Sequence, residues 1–292
     1  MALCRQHPEE RLYSHNDTQA GAAGRRENGL KRYDAVVVGS GPNGLAAAIT
    51  IARAGRSVLV LEGAEVIGGG MRSSELTLPG FIHDVCSAVH PLAVSSPFFR
   101  QLPLAQHGLE WVHPTLPLAH PFDDGSAVAL HRSIEATCEQ FPEDAVAYSR
   151  LFGPLVKEWD ALMRELMRPI VHFPRRPLLL ARFGLPSLLS ASALATRMFK
   201  NPRLRALFAG SAGHAILPLD KWLTATFGLM LTGAAHGVGW PSVRGGSQQL
   251  AHALASYLRS LGGEIETQCE VRSLDSLPEH RVALFDTPLN AS

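Results

Sequence analysis

Two unbroken apolar runs stand out near the N-terminus, Ala35–Val38 and Val58–Leu61, the second opened by Ser57. Runs of this kind predict strands buried on both faces, as in a parallel sheet. Between them, Leu45 to Ala54 is rich in Ala and Ile and predicts a helix, which Gly55 stops. The first strand meets the helix through Gly39-Ser40-Gly41-Pro42-Asn43-Gly44, and the second strand ends in Glu62. A strand, a G-x-G-x-x-G turn, a helix, a second strand and a terminal acid together form the setting in which such a turn binds a dinucleotide.

Each position in that unit has a mechanical reason. Gly39 permits the tight turn. Gly41 has no Cβ, so a pyrophosphate can approach the backbone, and Gly44 lets the helix pack closely on the strand. The free N–H groups and the positive end of the helix dipole then face the phosphates. Glu62 can accept hydrogen bonds from a ribose diol. A second cluster, Gly68-Gly69-Gly70-Met71-Arg72, follows the acid. A plain dinucleotide fold does not require it. It predicts a backbone wrapped closely around a ligand, with Arg72 available to a phosphate or another polar ligand group.

Further along, Leu76–Asp84 contains the turn signal Pro79-Gly80 between short strand-like pieces. Asp123-Asp124-Gly125 predicts a hairpin within Leu116–Leu130. Pro142 opens a long helical pattern through Trp159, Leu162, Leu166 and Met167, ended by Pro169. Helical patterns return over Leu178–Lys200, Arg203–Ala215 and Lys221–Ala235. The basic and apolar segment 175–200 reads first as a buried helix pair with solvated arginines and second as a peripheral membrane contact. Gly245-Gly246 is followed by Ser247, an expected N-cap, and by a helix with Leu250, Ala253, Leu254, Tyr257 and Leu258 on one face. Gly262-Gly263 ends that helix, and a connecting strand leads past Cys269 to Val271.

Composition narrows the function. The chain has 292 residues, 46% apolar and 18% charged, with a net charge of +1. That describes a globular protein with a sizeable core, and gives no electrostatic reason to expect nucleic acid as a partner. The four cysteines have no C-x-x-C spacing, so a zinc site and a redox dithiol are not expected. No apolar run is long enough to span a membrane, and residues 1–31 are polar, with charges of both signs, reading as a disordered leader. Cytoplasmic location is the expectation. His83, Asp84 and His90 lie close in sequence to the candidate site. Asp84 and His90 are weak candidates for a catalytic base, and no metal is expected.

The stretch Tyr33–Phe99 resembles the start of the phytoene-desaturase-like FAD-dependent oxidoreductases. Within that group it resembles the branch of the pyridine nucleotide-disulfide oxidoreductase domain-containing protein 2. The resemblance rests on Gly39–Gly44 with Leu45-Ala-Ala-Ala48, Val58–Glu62, Gly68–Ser73, Leu78–Asp84, Ser87–Leu92 and Ser96–Phe99. It implies an α/β fold: an FAD/NAD(P)-binding Rossmann-like domain over 32–100 and 240–292, with a partly helical, mixed-sheet substrate domain inserted over 101–239. It implies FAD as cofactor and an apolar, polyene-like substrate that loses a hydride. In such proteins Gly39, Gly41 and Gly44 approach the pyrophosphate, Glu62 binds the adenosine ribose, Gly69, Gly70 and Arg72 lie along the flavin, and the backbone near Val271 meets the adenine. The expected cofactor-binding residues are therefore Gly39, Ser40, Gly41, Pro42, Asn43, Gly44, Glu62, Gly63, Gly69, Gly70, Arg72 and Val271. Family members are longer. The C-terminal substrate strands and the glycine-rich segment over the flavin ring have no counterpart here, so the expectation includes an incomplete flavin pocket in a truncated or frameshifted product. Two other readings are a non-catalytic nucleotide-binding or scaffold protein and an NAD-dependent dehydrogenase.

Overall fold

The structure is a computed structural model that describes residues 25–27, 30–169 and 171–287, with 25–27 and 30 as backbone alone. The chain forms two units. The first takes the chain up to Ala88, then Pro103–Glu110 and everything from Val243; the second takes Val89–Leu102 and Trp111–Ser242. The expected boundary at 100/101 falls differently, because Val89–Leu102 belongs to the second unit and Pro103–Glu110 to the first. Most of the leader expected over 1–31 lies outside the described residues.

The first unit opens with β1 (Arg25–Glu27), paired antiparallel with the start of β2 (Leu30–Val38). β2 runs parallel to β3 (Val58–Leu61), in register from Ala35↔Val58 to Val38↔Leu61. Val36, Val37, Val58 and Val60 are wholly buried, as a parallel sheet covered on both faces demands. Polar groups lock the register at the open end. Ser57 N–H donates to the Asp34 carboxylate, and Asp34 N–H donates to Ser57 Oγ. α1 (Pro42–Arg53) crosses between them and buries Gly44, Leu45, Ala48, Ile49 and Ala52, one helical face. Pro42 occupies its first turn, where a missing N–H costs nothing. β4 (Ser73–Glu75) and β5 (Ile82–Asp84) then form an antiparallel hairpin around Pro79-Gly80.

The second unit holds α2 (Pro91–Ser95), β6 (Trp111–Val112), the hairpin β7 (Leu118–Pro121) and β8 (Ala127–Leu130), and α3 (Ile134–Cys138). The long helix expected from Pro142 is two helices, α4 (Ala145–Lys157) and α5 (Trp159–Leu166), because Glu158 leaves the helical region at φ −113°, ψ 28°. α6 (Pro177–Ser187), α7 (Ala191–Met198), α8 (Pro202–Ala212) and α9 (Thr224–Gly237) complete it. Tyr148, Phe152, Trp159, Phe183, Phe199, Phe208 and Leu229 share its core. The Trp159 ring lies directly against α9, where a Cβ at Gly233 or Gly237 would approach it to 2.7 Å. Among the described residues no single helix is long and apolar enough to cross a membrane. α6 and α7 together have the length and composition, but are bent by 103°.

The chain returns through β9 (Ser242–Val243) to α10 (Gln248–Ser260), β10 (Glu264–Glu266) and β11 (His280–Phe285). β10 adds in parallel to β3, and β11 adds in parallel to the other edge of β2, giving the order β11–β2–β3–β10. Ser247 precedes α10, but its side chain does not cap the helix; its hydroxyl donates to the Ser87 carbonyl. Capping comes instead from the β4–β5 hairpin. Asp84 Oδ1 accepts from Ser247 N–H at 2.7 Å, and Ser73 Oγ accepts from Gln248 N–H at 3.0 Å.

Candidate functional site

A cavity of about 1140 Å³ lies at the C-terminal ends of β2, β3 and β11, where ligands bind in open parallel sheets. Its lining brings together Gly39, Ser40, Gly41, Pro42, Glu62, Gly63, Gly69, Gly70, Arg72 and Val271. These residues were expected from four separate stretches of sequence. Asn43 is exposed and Gly44 is buried in α1, and neither lines the cavity.

The hydroxyl of Ser40 organises the first three stretches. Ser40 is wholly buried. Its Oγ donates to Glu62 Oε2 and accepts from Gly68 N–H at 3.1 Å. Its own N–H donates to the same Glu62 oxygen at 3.0 Å, while Glu62 Oε1 accepts from Ala64 N–H at 3.0 Å. Burial pushes the Glu62 carboxyl up, but the Ser40 hydroxyl, the Ala64 and Ser40 amides and nearby Arg72 outweigh it, holding the group below the usual carboxylate range. Glu62 is therefore an ionised acceptor, and Oε1, with one donor recorded, retains room for a hydroxyl of a ligand.

The second glycine cluster folds against the first. Gly69 has φ +53°, and a Cβ there would lie 3.1 Å from the Gly41 Cα. Arg72 turns its Nε–H to the Gly69 carbonyl at 3.0 Å, and its remaining donors have no other partner among the described residues. The far side is closed by the segment after β10. Gln268 N–H donates to the Ala64 carbonyl and Cys269 N–H to the Glu62 carbonyl, which sets Cys269, Glu270, Val271 and Arg272 along the cavity.

Asp286, at the end of β11, was not among the expected site residues. Its N–H donates to the Val38 carbonyl at 2.8 Å, and its Oδ2 accepts from Gly44 N–H at 2.7 Å. All three glycines of the turn are shaped around it. A Cβ at Gly39 would lie 2.3 Å from the Asp286 carbonyl oxygen and one at Gly41 would lie 2.7 Å from Oδ2. A Cβ at Gly44 would lie 2.2 Å from the Gly39 carbonyl and 3.1 Å from Oδ2. Gly44 thus does allow helix and strand to approach closely. The usable signal was an acid directly after an apolar stretch, Val282–Phe285, placed like Glu62 after β3.

The weak catalytic candidates lie in different units, Asp84 in the first and His90 in the second. Asp84 is occupied by Ser73 Oγ and Ser247 N–H as part of the α10 cap. His90 is buried, donates its backbone N–H to the Pro241 carbonyl and stacks obliquely near Trp111.

The fold and cavity define a dinucleotide-binding α/β protein with an inserted, largely helical unit. The chain belongs to the FAD dependent oxidoreductase (DAO) family, whose profile matches residues 34–288. It is 31% identical to the hydroxyneurosporene desaturase of Cereibacter sphaeroides over 75% of this chain and 46% of the relative. It is 27% identical to the pyridine nucleotide-disulfide oxidoreductase domain-containing protein 2 of Rattus norvegicus over 86% of this chain and 50% of the relative. An oxidoreductase structure from Methanosarcina mazei shares the fold at TM-score 0.51 and 19% identity, covering 80% of this chain and 51% of that one. The chain spans half or less of the length of these two curated relatives. The resemblance to the phytoene-desaturase-like family is thereby shown, and FAD is the family's cofactor.

The residues present fit that cofactor. At about 1140 Å³ the cavity lies just above the range of about 300–1,000 Å³ for small-molecule sites, as a large dinucleotide requires. Gly39 and Gly41 bring bare backbone to its lining, Glu62 keeps an acceptor for a ribose hydroxyl, and Arg72 offers unspent donors beside Gly69 and Gly70.

Proposed function

We propose that this chain binds FAD through its first unit and acts as an oxidoreductase on an apolar, polyene-like substrate. The observation that carries this reading is the convergence of Gly39–Pro42, Glu62–Gly63, Gly69–Arg72 and Val271 on one cavity. Gly39, Gly41 and the N-terminal end of α1 would hold the pyrophosphate, Glu62 a ribose, and Arg72 a polar group farther along. FAD, when bound, supplies acceptance of two electrons as a hydride. The chain's own residues bind and orient it: Ser40 keeps Glu62 and the second glycine cluster in place, and the 269–272 segment lines the same cavity. Support for the substrate class comes from relatives named as a hydroxyneurosporene desaturase and a phytoene dehydrogenase.

We also infer a peripheral membrane contact through 175–200 and its approach. Val171 is 94% and Phe173 95% exposed, Leu178, Leu185 and Leu188 are exposed, and Arg175 and Arg176 stand among them. An apolar surface edged by arginines suits an anionic bilayer.

The test is reconstitution. Purified chain is titrated with FAD and, in parallel, with NADH, following flavin absorbance and fluorescence. A yellow complex that retains FAD through gel filtration is expected, and reduction of that flavin by an apolar polyene under anaerobic conditions would extend the reading to the substrate. A colourless protein that takes up no added FAD would overturn it.

A further inference from the structure

The cavity proposed to take a dianionic pyrophosphate has an excess of acid. Glu62, Glu270 and Asp286 line it against Arg72 and Arg272, and Arg272 is already paired with Glu270 at 2.7 Å. Glu62 is accounted for by its three donors. Asp286 is different, because its carboxylate lies against the glycine turn at the N-terminal end of α1. Oδ2 takes the Gly44 N–H and fills the space in front of Gly41. The opening in front of Gly41 is the one the cavity offers a phosphate at this helix end; Gly44 itself does not line the cavity.

We propose that Asp286 is an internal stand-in for phosphate: its carboxylate takes the place at the glycine turn that a phosphate group would use, and has to swing away for one to dock. This rests on the flavin reading of the same cavity, and it concerns how strongly the site holds its anion. Two anions cannot share one opening, and in a partly buried site their repulsion is large. The backbone of Asp286 is fixed by its bond to Val38 and its fit against Gly39. The side chain is the movable part, and rotation about χ1 takes it off the turn. Asp286 therefore competes for the turn and lowers the affinity for an anion that docks there.

The test compares wild type, Asp286→Asn and Asp286→Ala for binding of FAD and of inorganic pyrophosphate. Asn keeps an oxygen for Gly44 without the charge, so it guards against a variant that fails to fold; circular dichroism checks each protein. Tighter binding of both ligands, by at least about tenfold in both variants, is expected from removal of the like charge, with a larger rise in Tm on adding FAD. Wild type that binds FAD while the folded variants bind it equally or more weakly would overturn the proposal and leave the flavin reading intact. No FAD uptake by any of the three, with pyrophosphate binding that still tightens in the variants, would overturn the flavin reading and keep Asp286 as the occupant of an anion seat. Pyrophosphate binding that is unchanged or weaker in the folded variants, with no FAD uptake, would overturn both.

Discussion

A single hydroxyl, that of Ser40, joins the glycine turn, the acid of β3 and the second glycine cluster. Ser40→Ala removes a donor to Glu62 and leaves Gly68 N–H without its acceptor in a buried place. The expected cost is about 1–3 kcal/mol in urea unfolding, together with weaker FAD binding. Glu62 sets a pH dependence of known sign. Its carboxyl titrates lower in the folded chain than its ordinary value of 4.5, so its stabilising contribution is complete above that value and is lost as pH falls through the depressed folded value. Glu62→Gln is therefore expected to lower the urea midpoint at neutral pH, and the gap to wild type should close as pH falls below 4.5. Gly39→Ala tests the turn itself: with φ +102° and the Asp286 carbonyl 2.3 Å from the added Cβ, it should cost more than about 1 kcal/mol. Gly39, Gly41, Gly44 and Glu62 were legible because their evidence is local, glycine spacing and an acid set between neighbouring apolar runs. Asp286 was not, since nothing near position 286 says which strand it will sit beside.

The elements show the same division. β2, α1 and β3 follow from short-range hydrophobic pattern, and the β7–β8 hairpin from its Asp-Asp-Gly turn. The start of α10 shows where local pattern misleads. Ser247 has the right chemistry and position for a cap, yet the caps are Asp84 and Ser73 from a hairpin far away in sequence. Asp84→Ala should therefore cost about 0.5–2 kcal/mol, within the range of a lost N-cap, while Ser247→Gly keeps both capping acceptors. A difference in Tm between the two variants checks this. In the helical unit, Tyr148 Oη meets His236 Nε2 at 2.7 Å, and His236 Nδ1 faces the Arg132 carbonyl at 3.2 Å. The second contact requires Nδ1–H as donor, so a neutral His236 accepts from the tyrosine. Burial, the largest influence, holds the imidazole below its ordinary value of 6.5. The unfolded chain then binds more protons, and stability falls as pH drops below 6.5 toward the depressed folded value. Urea midpoints between about pH 8 and 5.5 should show that slope, reduced in His236→Gln, with His120 supplying a remainder of the same sign.

For the whole molecule, the inserted unit and the discontinuous first unit were readable from the order of motifs, but the first crossing was not, because Val89–Glu110 has no strong periodicity to assign it. The exposed apolar residues around Phe173 give a prediction at this scale. The protein is expected to float with anionic vesicles, less so at high salt, and Phe173→Ser is expected to weaken that flotation; equal recovery with and without vesicles would remove the membrane contact. The pairing of β11 with β2 has a consequence for the order in which the protein is made. The first parallel neighbour of β2, β3, lies only one helix further along the chain. Its other neighbour, and the carboxylate seated on its glycine turn, are separated from it by 242 positions at the Gly44–Asp286 bond. Throughout translation of the whole helical unit, one edge of the central strand has no partner from β11 and the turn lacks Asp286. A nascent chain stalled before His280 would present that open edge to other chains, and an unpaired strand edge is a template for aggregation.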